Sequence, residues 1–400
     1  MIILTRMLNK PAHVAWNPKT PAKPKHPRAL WFFAPHMYGN PYQDLLYSHF
    51  SDVGIEVRGL RSIEAAVSAL ESAPRNIPKV LHLHWLNVVL AGAKSSNDAN
   101  KLIAEFERQL DRAIAAGAQL VWTVHNVLPH ESYEQSAAIR VREAMVKRAH
   151  LIHVMSPDTV ELCSPYFAIP AAKVVRADHA GYHGHFPQVP TSDVRREWGL
   201  PQGGKVGVII GGIKPYKGLN EFAEHFISAT RSHPRDVTLV IAGKAGDEVM
   251  HSPLWELAEY APNLHVIPRM LTDEQVASLT TMADFTVIPY RNSLNSGALV
   301  LGLTFGKPIL ARASAGSTHL LADGAGRIYH EDDELESILA DNSWVDQATP
   351  AAQEMSRQLD RDVMTNNFAR MALAFIEGGA ASAQTSIGSD GGMNVSGHHG

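Results

Sequence analysis

Cysteine is almost absent from the 400-residue sequence, in which Cys163 is the single thiol. An internal disulfide is therefore excluded, as is a zinc site built on paired cysteine thiolates. Long hydrophobic runs are also missing. No stretch approaches the roughly 18 apolar residues that span a bilayer, and Arg6 interrupts the apolar start MIILTRML. We therefore expect a cytoplasmic protein with neither a signal peptide nor a membrane anchor.

Acidic residues are absent before Asp44, although the same stretch is basic. Its cations are Arg6, Lys10, Lys19, Lys23, Lys25 and Arg28. Such an arm is suited to peripheral contact with an anionic membrane surface, here the inner face of the plasma membrane. A solvated, disordered leader is the alternative. The whole chain has a formal net charge of −4, so it has no uniform positive field for nucleic acid, and no nucleic-acid partner is expected.

Short apolar runs alternate with amphipathic stretches from residue 29 onward, which is typical of βαβ units and a parallel sheet. ALWFFAP, KVLHLHW and QLVWTVHN represent the first series of runs, and KVGVIIGG, VTLVIAG and DFTVIPY the second. A chain that is 45% hydrophobic and 400 residues long can bury two cores of ordinary domain size. The sequence therefore predicts an α/β protein with two Rossmann-like domains.

Domain boundaries follow from composition. HFPQVPTSDVRREWGLPQGG is rich in proline and glycine and is interpreted as an interdomain linker. The predicted organisation is a basic arm over 1–28, an N-terminal domain over 29–188, a C-terminal domain over 189–350, a helix over 351–376 and a tail over 377–400. Packing of the helix on the N-terminal domain is one option. The tail is rich in glycine and serine, and disorder is expected there.

A glycine turn follows the strand KVGVII and opens a helix, with the sequence GGIKPYKG. Gly211 and Gly212 allow the backbone to approach a phosphate, and Lys214 and Lys217 add positive charge. Lys244 follows the next predicted strand at the same sheet edge. This pattern favours a diphosphate site, although an ordinary strand-to-helix turn with solvated lysines is the alternative.

Histidines cluster after two strands of the first half. LHLHW places His82 and His84 on one strand face, and TVHNVLPHE places His125 just past a strand, with Glu131 beyond it. Imidazole and carboxyl groups at strand ends can hold hydroxyls and accept a proton from one. The alternative of satisfied core histidines is favoured for His82, whereas His84 and His125 lie nearer the strand ends. HxH without HExxH or partnering cysteines is poor evidence for a metal, so none is expected.

The loop YRNSLNSGALVLGLTFGKPIL, from Tyr290 to Leu310, has no carboxylate, and none occurs between Asp284 and Asp323. Asn295, Ser296 and Gly297 offer an amide, a hydroxyl and backbone N–H groups before a predicted helix. Such groups are suited to phosphate rather than to acid chemistry.

The order and spacing of these pieces resemble GT-B glycosyltransferases over roughly 29–376. Within that group the chain is similar to bacterial exopolysaccharide β-mannosyltransferases of the GumI type. The shared pieces are NPY (residues 40–42), HxHW (82–85), TVHN (123–126), HGHF (183–186), YKG (216–218), LTDEQV (271–276) and the loop from Tyr290. The resemblance implies two Rossmann-like domains facing across a cleft, with the acceptor on the N-terminal side and the donor in the C-terminal domain.

The resemblance also implies roles for individual residues. Retaining relatives carry two glutamates that align with Ser293 and Leu301, so their absence favours an inverting reaction with one general base. The candidate bases are Glu131 and His84, and His125 matches a histidine that contacts the transferred sugar. The nucleotide base is expected near 267–271, which includes Arg269. Tyr290 and Arg291 are expected near the diphosphate.

The resulting hypothesis is an inverting, metal-independent transferase that moves mannose from GDP-mannose to a lipid-linked oligosaccharide in exopolysaccharide or cell-surface glycan assembly. No cofactor is expected beyond the donor substrate. One alternative is transfer of glucose, fucose or glucuronate from a UDP or GDP donor. Another is a non-catalytic subunit that binds sugar nucleotides, because a lost acid pair is also what an inactive transferase would show.

Overall fold

The computed structural model describes residues 24–128, 135–189, 193–249, 251–291 and 293–388, which form two compact units. The C-terminal unit is Gly181–Leu359. The N-terminal unit consists of the described residues of Pro18–Ala180 and of Asp360–Gly400. The chain therefore enters the C-terminal unit before the proline-rich linker, not within it, and leaves that unit again at Leu359. The predicted basic arm lies outside the described residues up to residue 23.

The N-terminal unit is built on a parallel sheet with the strand order β2-β1-β3-β4-β5-β6. Its strands are β1 (Ala29–Ala34), β2 (Ile55–Gly59), β3 (Lys79–Leu83), β4 (Ala118–Thr123), β5 (Leu151–Val154) and β6 (Val174–Arg176). The helices between them are α1 (Pro41–Leu46), α2 (Ile63–Glu71), α3 (Ser96–Ala115), α4 (Gln135–Arg148) and α5 (Thr159–Cys163). Every residue of β1 is buried, as expected for a strand covered on both faces.

Local sequence explains where the helices of this unit begin. The Ser62 hydroxyl accepts a hydrogen bond from the Ala65 N–H group at the start of α2, and Ser95 caps α3 in the same way through Asp98. In α3 the buried residues recur at helical spacing and form one apolar face. They are Ala99, Ile103, Phe106, Leu110 and Ala113.

The C-terminal unit contains a second parallel sheet, with the order β12-β11-β10-β7-β8-β9. Its strands are β7 (Lys205–Ile210), β8 (Val237–Ala242), β9 (Leu264–Ile267), β10 (Phe285–Ile288), β11 (Ile309–Arg312) and β12 (Gly326–Tyr329). Its helices are α6 (Val194–Glu197), α7 (Leu219–Thr230), α8 (Leu254–Tyr260), α9 (Asp273–Met282), α10 (Gly297–Thr304), α11 (Ala315–Leu320), α12 (Glu334–Ala340) and α13 (Trp344–Gln358). Thr272 and Gln275 close a capping box at the start of α9.

The last helix, α14 (Arg361–Gly388), belongs to the N-terminal unit. The single helix predicted over 351–376 is therefore divided: its first residues lie in α13 of the C-terminal unit, and the rest lie in α14. Phe368 and Phe375 of α14 are fully buried in the core of the N-terminal unit.

The prediction of disorder from residue 377 is wrong for the part of the tail that the structure describes. Residues up to Gly388 continue α14, with a break in helical geometry at Gly379. Ala383 is buried in the core, and the Gln384 amide donates hydrogen bonds to the carbonyl oxygens of Ala171 and Val174. The glycine-rich composition of the tail indicated disorder and did not reveal these contacts.

The two parallel sheets confirm the predicted fold class, an α/β protein with two Rossmann-like domains. In parallel sheets of this kind, ligands bind outside the carboxyl ends of the strands. Among the described residues, no helix combines the length and apolar character that crossing a bilayer requires.

Candidate functional site

Two glycine turns lie side by side where β7 and β8 end. The Gly211 N–H group donates to the Ala242 carbonyl at 3.0 Å, and the Ile213 N–H group donates to the Lys244 carbonyl at 2.8 Å. A Cβ atom on Gly243 would lie 2.1 Å from the Gly211 carbonyl oxygen. Gly211 has a φ of +121° and Gly243 a φ of +157°. Glycine is therefore required for the close approach of the two turns.

A pocket of about 610 Å³ opens beside these turns. The first turn contributes Gly211, Gly212 and Lys214, and the second contributes Gly243, Lys244, Ala245, Gly246 and Asp247. The segment before α9 and its first turns add Met270, Leu271 and Val276. The structure thus brings together four of the predicted donor-binding residues in one pocket that also has apolar side chains in its lining.

Lys217 is buried at the start of α7, with 7% of its surface exposed. Its ammonium nitrogen lies 4.7 Å from the centre of the Tyr290 ring and 3.3 Å from where a Cβ on Gly211 would be. Burial lowers the pKa of this ammonium, and the nearby Lys214 adds to that effect. Within the described part of the chain, no carboxylate forms an ion pair with Lys217. Lys217 is thus a buried cation that has no carboxylate partner among these residues and lies next to a glycine turn that a phosphate can approach. Such a cation is suited to binding an anionic ligand.

Other predicted donor-binding residues do not line this pocket. The Arg269 guanidinium stacks 5.4 Å from the centre of the Trp198 ring and donates to the Gln275 side chain at 3.2 Å. The Arg291 guanidinium lies 3.5 Å from a carboxylate oxygen of Asp332 and 4.0 Å from one of Glu221. These contacts compensate the charge of Arg291, so its predicted role beside the diphosphate is not favoured by the geometry.

The loop before α10 is arranged as a helix start. The Ser296 hydroxyl caps α10 by accepting the Leu299 N–H group at 3.3 Å, and Gly297 packs against Tyr182, whose hydroxyl would lie 2.8 Å from a Cβ on the glycine. Asn295 precedes the cap. Leu301, one of the two positions aligned with a glutamate in retaining relatives, is a buried core residue of α10. The loop therefore supplies no acid of its own among its described residues.

The histidines of the N-terminal unit form a hydrogen-bonded chain at the carboxyl ends of β3, β4 and β5. The Tyr47 hydroxyl lies 2.8 Å from His82 Nδ1 and 2.7 Å from His84 Nε2. The Thr123 hydroxyl lies 2.7 Å from His82 Nε2 and 3.0 Å from His153 Nδ1. His84 Nδ1 lies 3.0 Å from His125 Nε2.

His125 is the most exposed of the four histidines in this hydrogen-bonded series. Its ring stacks on Trp85 with centroids 4.2 Å apart and meets the Tyr42 ring edge-on at 5.2 Å. The Tyr42 ring also lies 4.8 Å from that of His179. Burial lowers the pKa of His125 well below its ordinary value, and the neighbouring His84 adds to that effect. The ring is therefore neutral at pH 7 and can accept a proton or a hydrogen bond.

The structure gives different outcomes for the two candidate general bases. Glu131 lies outside the described residues. His84 is fully buried, and hydrogen bonds engage both of its ring nitrogens. With both ring nitrogens engaged, His84 does not fit the predicted role of a base that contacts an acceptor directly.

Several residues of these sites were missed by sequence reasoning. Gly243 had a usable signal, because it directly follows the buried strand β8. Tyr47, Thr123 and His153 gave none, because their partners are 30 to 41 positions away in sequence. Among the residues that the structure describes, no group of three or more histidine, cysteine, aspartate or glutamate side chains is placed to hold a metal ion.

Comparisons with known proteins bear on the C-terminal unit and on the fold. Residues 204–342 match the family described as "Glycosyl transferases group 1". A GDP-mannose:glycolipid 4-beta-D-mannosyltransferase of Xanthomonas campestris pv. campestris is 24% identical over 314 residues, which cover 76% of this chain and 79% of that protein. A second protein with that description, also from this organism, is 25% identical over 310 residues.

Solved structures show the same architecture. HepE of Anabaena, determined with UDP and glucose, has a TM-score of 0.61 and 18% identity, covering 86% of this chain and 99% of that one. WaaG, a glycosyltransferase involved in lipopolysaccharide biosynthesis, has a TM-score of 0.59 and 15% identity. The match covers 88% of this chain and 100% of the WaaG chain. The chain thus carries a group 1 glycosyltransferase domain on a GT-B fold and is a nucleotide-sugar glycosyltransferase.

Proposed function

We propose that the enzyme transfers mannose from GDP-mannose to a lipid-linked oligosaccharide, with inversion at the anomeric carbon and without a metal ion. The donor and the acceptor class are those named for the two mannosyltransferases to which the chain is similar. The observation that carries the proposal is the pocket at the paired glycine turns, where lysines surround a backbone that can approach a diphosphate closely.

The residues that line the pocket are suited to the different parts of a nucleotide. Lys214 and Lys244 line it, and the buried Lys217 lies against Gly211, so several cations can stabilise the diphosphate as it leaves. Asp247 lines the same pocket and can accept a hydrogen bond from a ribose hydroxyl. Met270, Leu271 and Val276 provide apolar surface for the base. Lysines serve here in place of a divalent cation.

An inverting reaction needs one base and no nucleophile on the enzyme. The acceptor oxygen attacks the anomeric carbon, the bond from that carbon to the diphosphate oxygen breaks, and GDP departs with the electron pair. The acceptor proton passes to a base, which we assign to the His125 imidazole. The described residues of the loop from Tyr290 offer no carboxylate, and the nearby Asp332 is already paired with Arg291 and Arg312. A glycosyl-enzyme intermediate on a carboxylate is therefore not favoured.

The acceptor side is proposed from the aromatic surface around His125. Trp85 and Tyr42 present ring surfaces beside its imidazole, and such rings pack well against the C–H faces of sugars. A lipid-linked acceptor would bring the enzyme to a membrane surface. The basic arm before Asp44 is the segment proposed to make that peripheral contact, on the inner face of the plasma membrane.

Hydrolysis of the donor tests the reaction without knowledge of the acceptor. GDP-mannose would be incubated with the enzyme in D₂O, and the first mannose released would be observed by proton NMR before mutarotation. Because the donor is the α-anomer, we expect β-mannose. Release of α-mannose would contradict inversion. Parallel reactions with UDP-glucose and other sugar nucleotides test the donor, and faster hydrolysis of a UDP sugar would overturn the assignment of GDP-mannose.

A further inference from the structure

The Lys217 ammonium lies where two neighbouring strands end. Strands β7 and β10 pair in parallel, so the Gly211 turn after β7 and Tyr290 after β10 are at the same edge of the sheet. Lys217 Nζ lies over the Tyr290 ring, 4.7 Å from its centre, and 3.3 Å from the position of a Cβ on Gly211. The ammonium therefore contacts both an aromatic ring and the turn that lines the donor pocket.

The Tyr290 ring is enclosed and uncharged. Only 7% of the residue is exposed, and its ring meets that of Tyr216 at 6.4 Å. Burial raises the pKa of Tyr290 above its ordinary value, so the phenol stays neutral at pH 7. Lys217 therefore meets the face of a neutral ring and not a phenolate. Such a face attracts a cation, and the attraction is stronger where water is excluded.

The Tyr290 hydroxyl contributes no contact of its own. It is buried, and no group among the described residues forms a hydrogen bond with it. A buried hydroxyl without a partner costs free energy, so a phenylalanine of the same shape would avoid that cost. The part of Tyr290 that serves the site is therefore its ring.

Burial acts against the charged form of Lys217. It lowers the pKa of the ammonium, Tyr216 acts in the opposite direction, and Lys214 lowers the pKa further. After β8, Lys244 is an exposed cation at the same edge of the sheet. A group that stabilises the ammonium is therefore needed if Lys217 is to stay charged.

The carboxylates near this turn are engaged by an arginine. Glu221 of α7 has an oxygen 3.9 Å from the position of a Cβ on Gly218, and another of its oxygens lies 4.0 Å from the Arg291 guanidinium. Arg291 also lies 3.5 Å from Asp332. A carboxylate beside Lys217 would neutralise its charge, whereas a ring face stabilises the ammonium and leaves the charge in place.

From this geometry we infer that Tyr290 is a positioning residue, whose ring keeps Lys217 protonated beside Gly211 so that its charge faces the diphosphate of the donor. This inference rests on the proposed function, because the glycine turn is there assigned to the diphosphate. The resemblance noted in the sequence places Tyr290 near the diphosphate. The structure gives it a role that acts through Lys217, with no direct contact to the ligand.

The ring contact can be observed on the full chain without any reaction. With ¹³C-labelled lysine, Lys217→Met identifies the Lys217 signals by their loss. We expect the ε-methylene protons of wild-type Lys217 to be shifted upfield, because they lie over the face of an aromatic ring. Signals at the ordinary position would overturn the inference even if the enzyme transfers mannose.

Tyr290→Leu removes the ring and keeps an apolar side chain. Because the ring favours the ammonium, Lys217 should lose its proton at a lower pH in this variant than in wild type. At pH 9 we expect the affinity for GDP to be about 10-fold below that of wild type, and at pH 6.5 the difference should be smaller. NMR titration of Lys217 and calorimetric titration with GDP would measure both effects.

Tyr290→Phe is the conservative variant, since it keeps the ring and removes only the hydroxyl. It should restore the Lys217 titration and the GDP affinity that Tyr290→Leu loses. If it loses as much GDP affinity as Tyr290→Leu, the hydroxyl and not the ring is what matters, and the inference is wrong. Equal titration of Lys217 in wild type and in folded Tyr290→Leu would also refute it.

The matched control is Tyr260→Leu, which removes a ring that is 86% exposed from the same unit. It should leave the Lys217 titration and the GDP affinity unchanged. If Tyr290→Leu does not fold, the upfield shift in wild type and the behaviour of Tyr290→Phe decide the matter. Absence of GDP binding by wild type, with the upfield shift present, would refute the diphosphate site of the proposed function and leave the ring contact standing.

Discussion

At the scale of single residues, the informative side chains are charged or polar groups that are buried although the stability of the fold does not require them there. Lys217 is a buried ammonium beside the Tyr290 ring and the Gly211 turn. A lysine that only supported the fold would be expected to find a carboxylate or a carbonyl group. Its position predicts that the missing partner is a ligand with negative charge.

Replacing Lys217 with methionine tests this prediction. The substitution keeps the length of the side chain and its packing on Tyr290 but removes the charge. We expect kcat/KM for GDP-mannose to fall by a factor that corresponds to about 2–4 kcal/mol of lost stabilisation of the leaving diphosphate. Steady-state kinetics would measure it, with the exposed Lys101→Met as the matched control. An unchanged kcat/KM in Lys217→Met would remove this lysine from the donor site.

The sequence allowed some of these residues to be predicted and not others. The period of two in LHLHW placed His82 and His84 on one strand face, and TVHN placed His125 just past β4. Exposure distinguishes them: His84 is enclosed by Tyr47 and His125, whereas His125 is not fully covered. The enclosure depends on a tyrosine 37 positions away from His84, which no local pattern reveals.

At the scale of elements, the donor pocket depends on two strands that end in glycine at the same sheet edge. The apolar runs KVGVIIGG and VTLVIAG were predictable as strands from sequence, and they form β7 and β8. In the N-terminal unit α1 ends at Leu46, and a 3₁₀ turn follows at Ser51–Val53. The spacing of side chains alone does not indicate this break.

The paired turns predict a large effect of Gly243→Ala. The added Cβ would lie 2.1 Å from the Gly211 carbonyl oxygen, so the two turns must separate. We expect GDP affinity to be lost and the free energy of unfolding to fall by about 1–3 kcal/mol or more, since the backbone conformation also disfavours a side chain. Calorimetric titration and denaturant unfolding would measure these effects. The control is Gly203→Ala, because no atom lies within 4 Å of its Cβ position. Equal GDP affinity in the Gly243 and Gly203 variants would contradict the account.

At the scale of the whole molecule, the chain leaves its N-terminal unit near Gly181 and returns to it at Asp360. Two tandem Rossmann-like domains were predictable from the two series of alternating runs. The return of α14 was predictable only as an option, because a helical pattern does not show which of two cores its buried face packs against. Phe368 and Phe375 anchor it among residues from the first half of the sequence.

The buried histidines also predict how stability depends on pH. The pKa of His153 is lowered from 6.5 to about 4 in the folded chain. Between those values the unfolded chain binds a proton that the folded chain does not, so stability is full above pH 6.5 and falls as the pH decreases toward 4. His153 alone should account for about 3 kcal/mol of this loss, at about 1.4 kcal/mol for each unit of pKa.

Denaturant unfolding between pH 7 and pH 4.5 would measure this dependence. His153→Gln should show a shallower loss of stability on acidification than wild type. The control is His251→Gln, at an exposed position of the C-terminal unit. Identical slopes for wild type and His153→Gln would show that the folded state does not disfavour the charged imidazole at residue 153.

We propose that the paired glycine turns bind the diphosphate of the donor, and a crystal structure of the enzyme with GDP would decide the matter. We expect density for both phosphates beside Gly211 and Gly243, with the Lys217 ammonium directed toward them. Well-ordered nucleotide density elsewhere, with the pocket at these turns filled by solvent, would show that the turns are not the donor site.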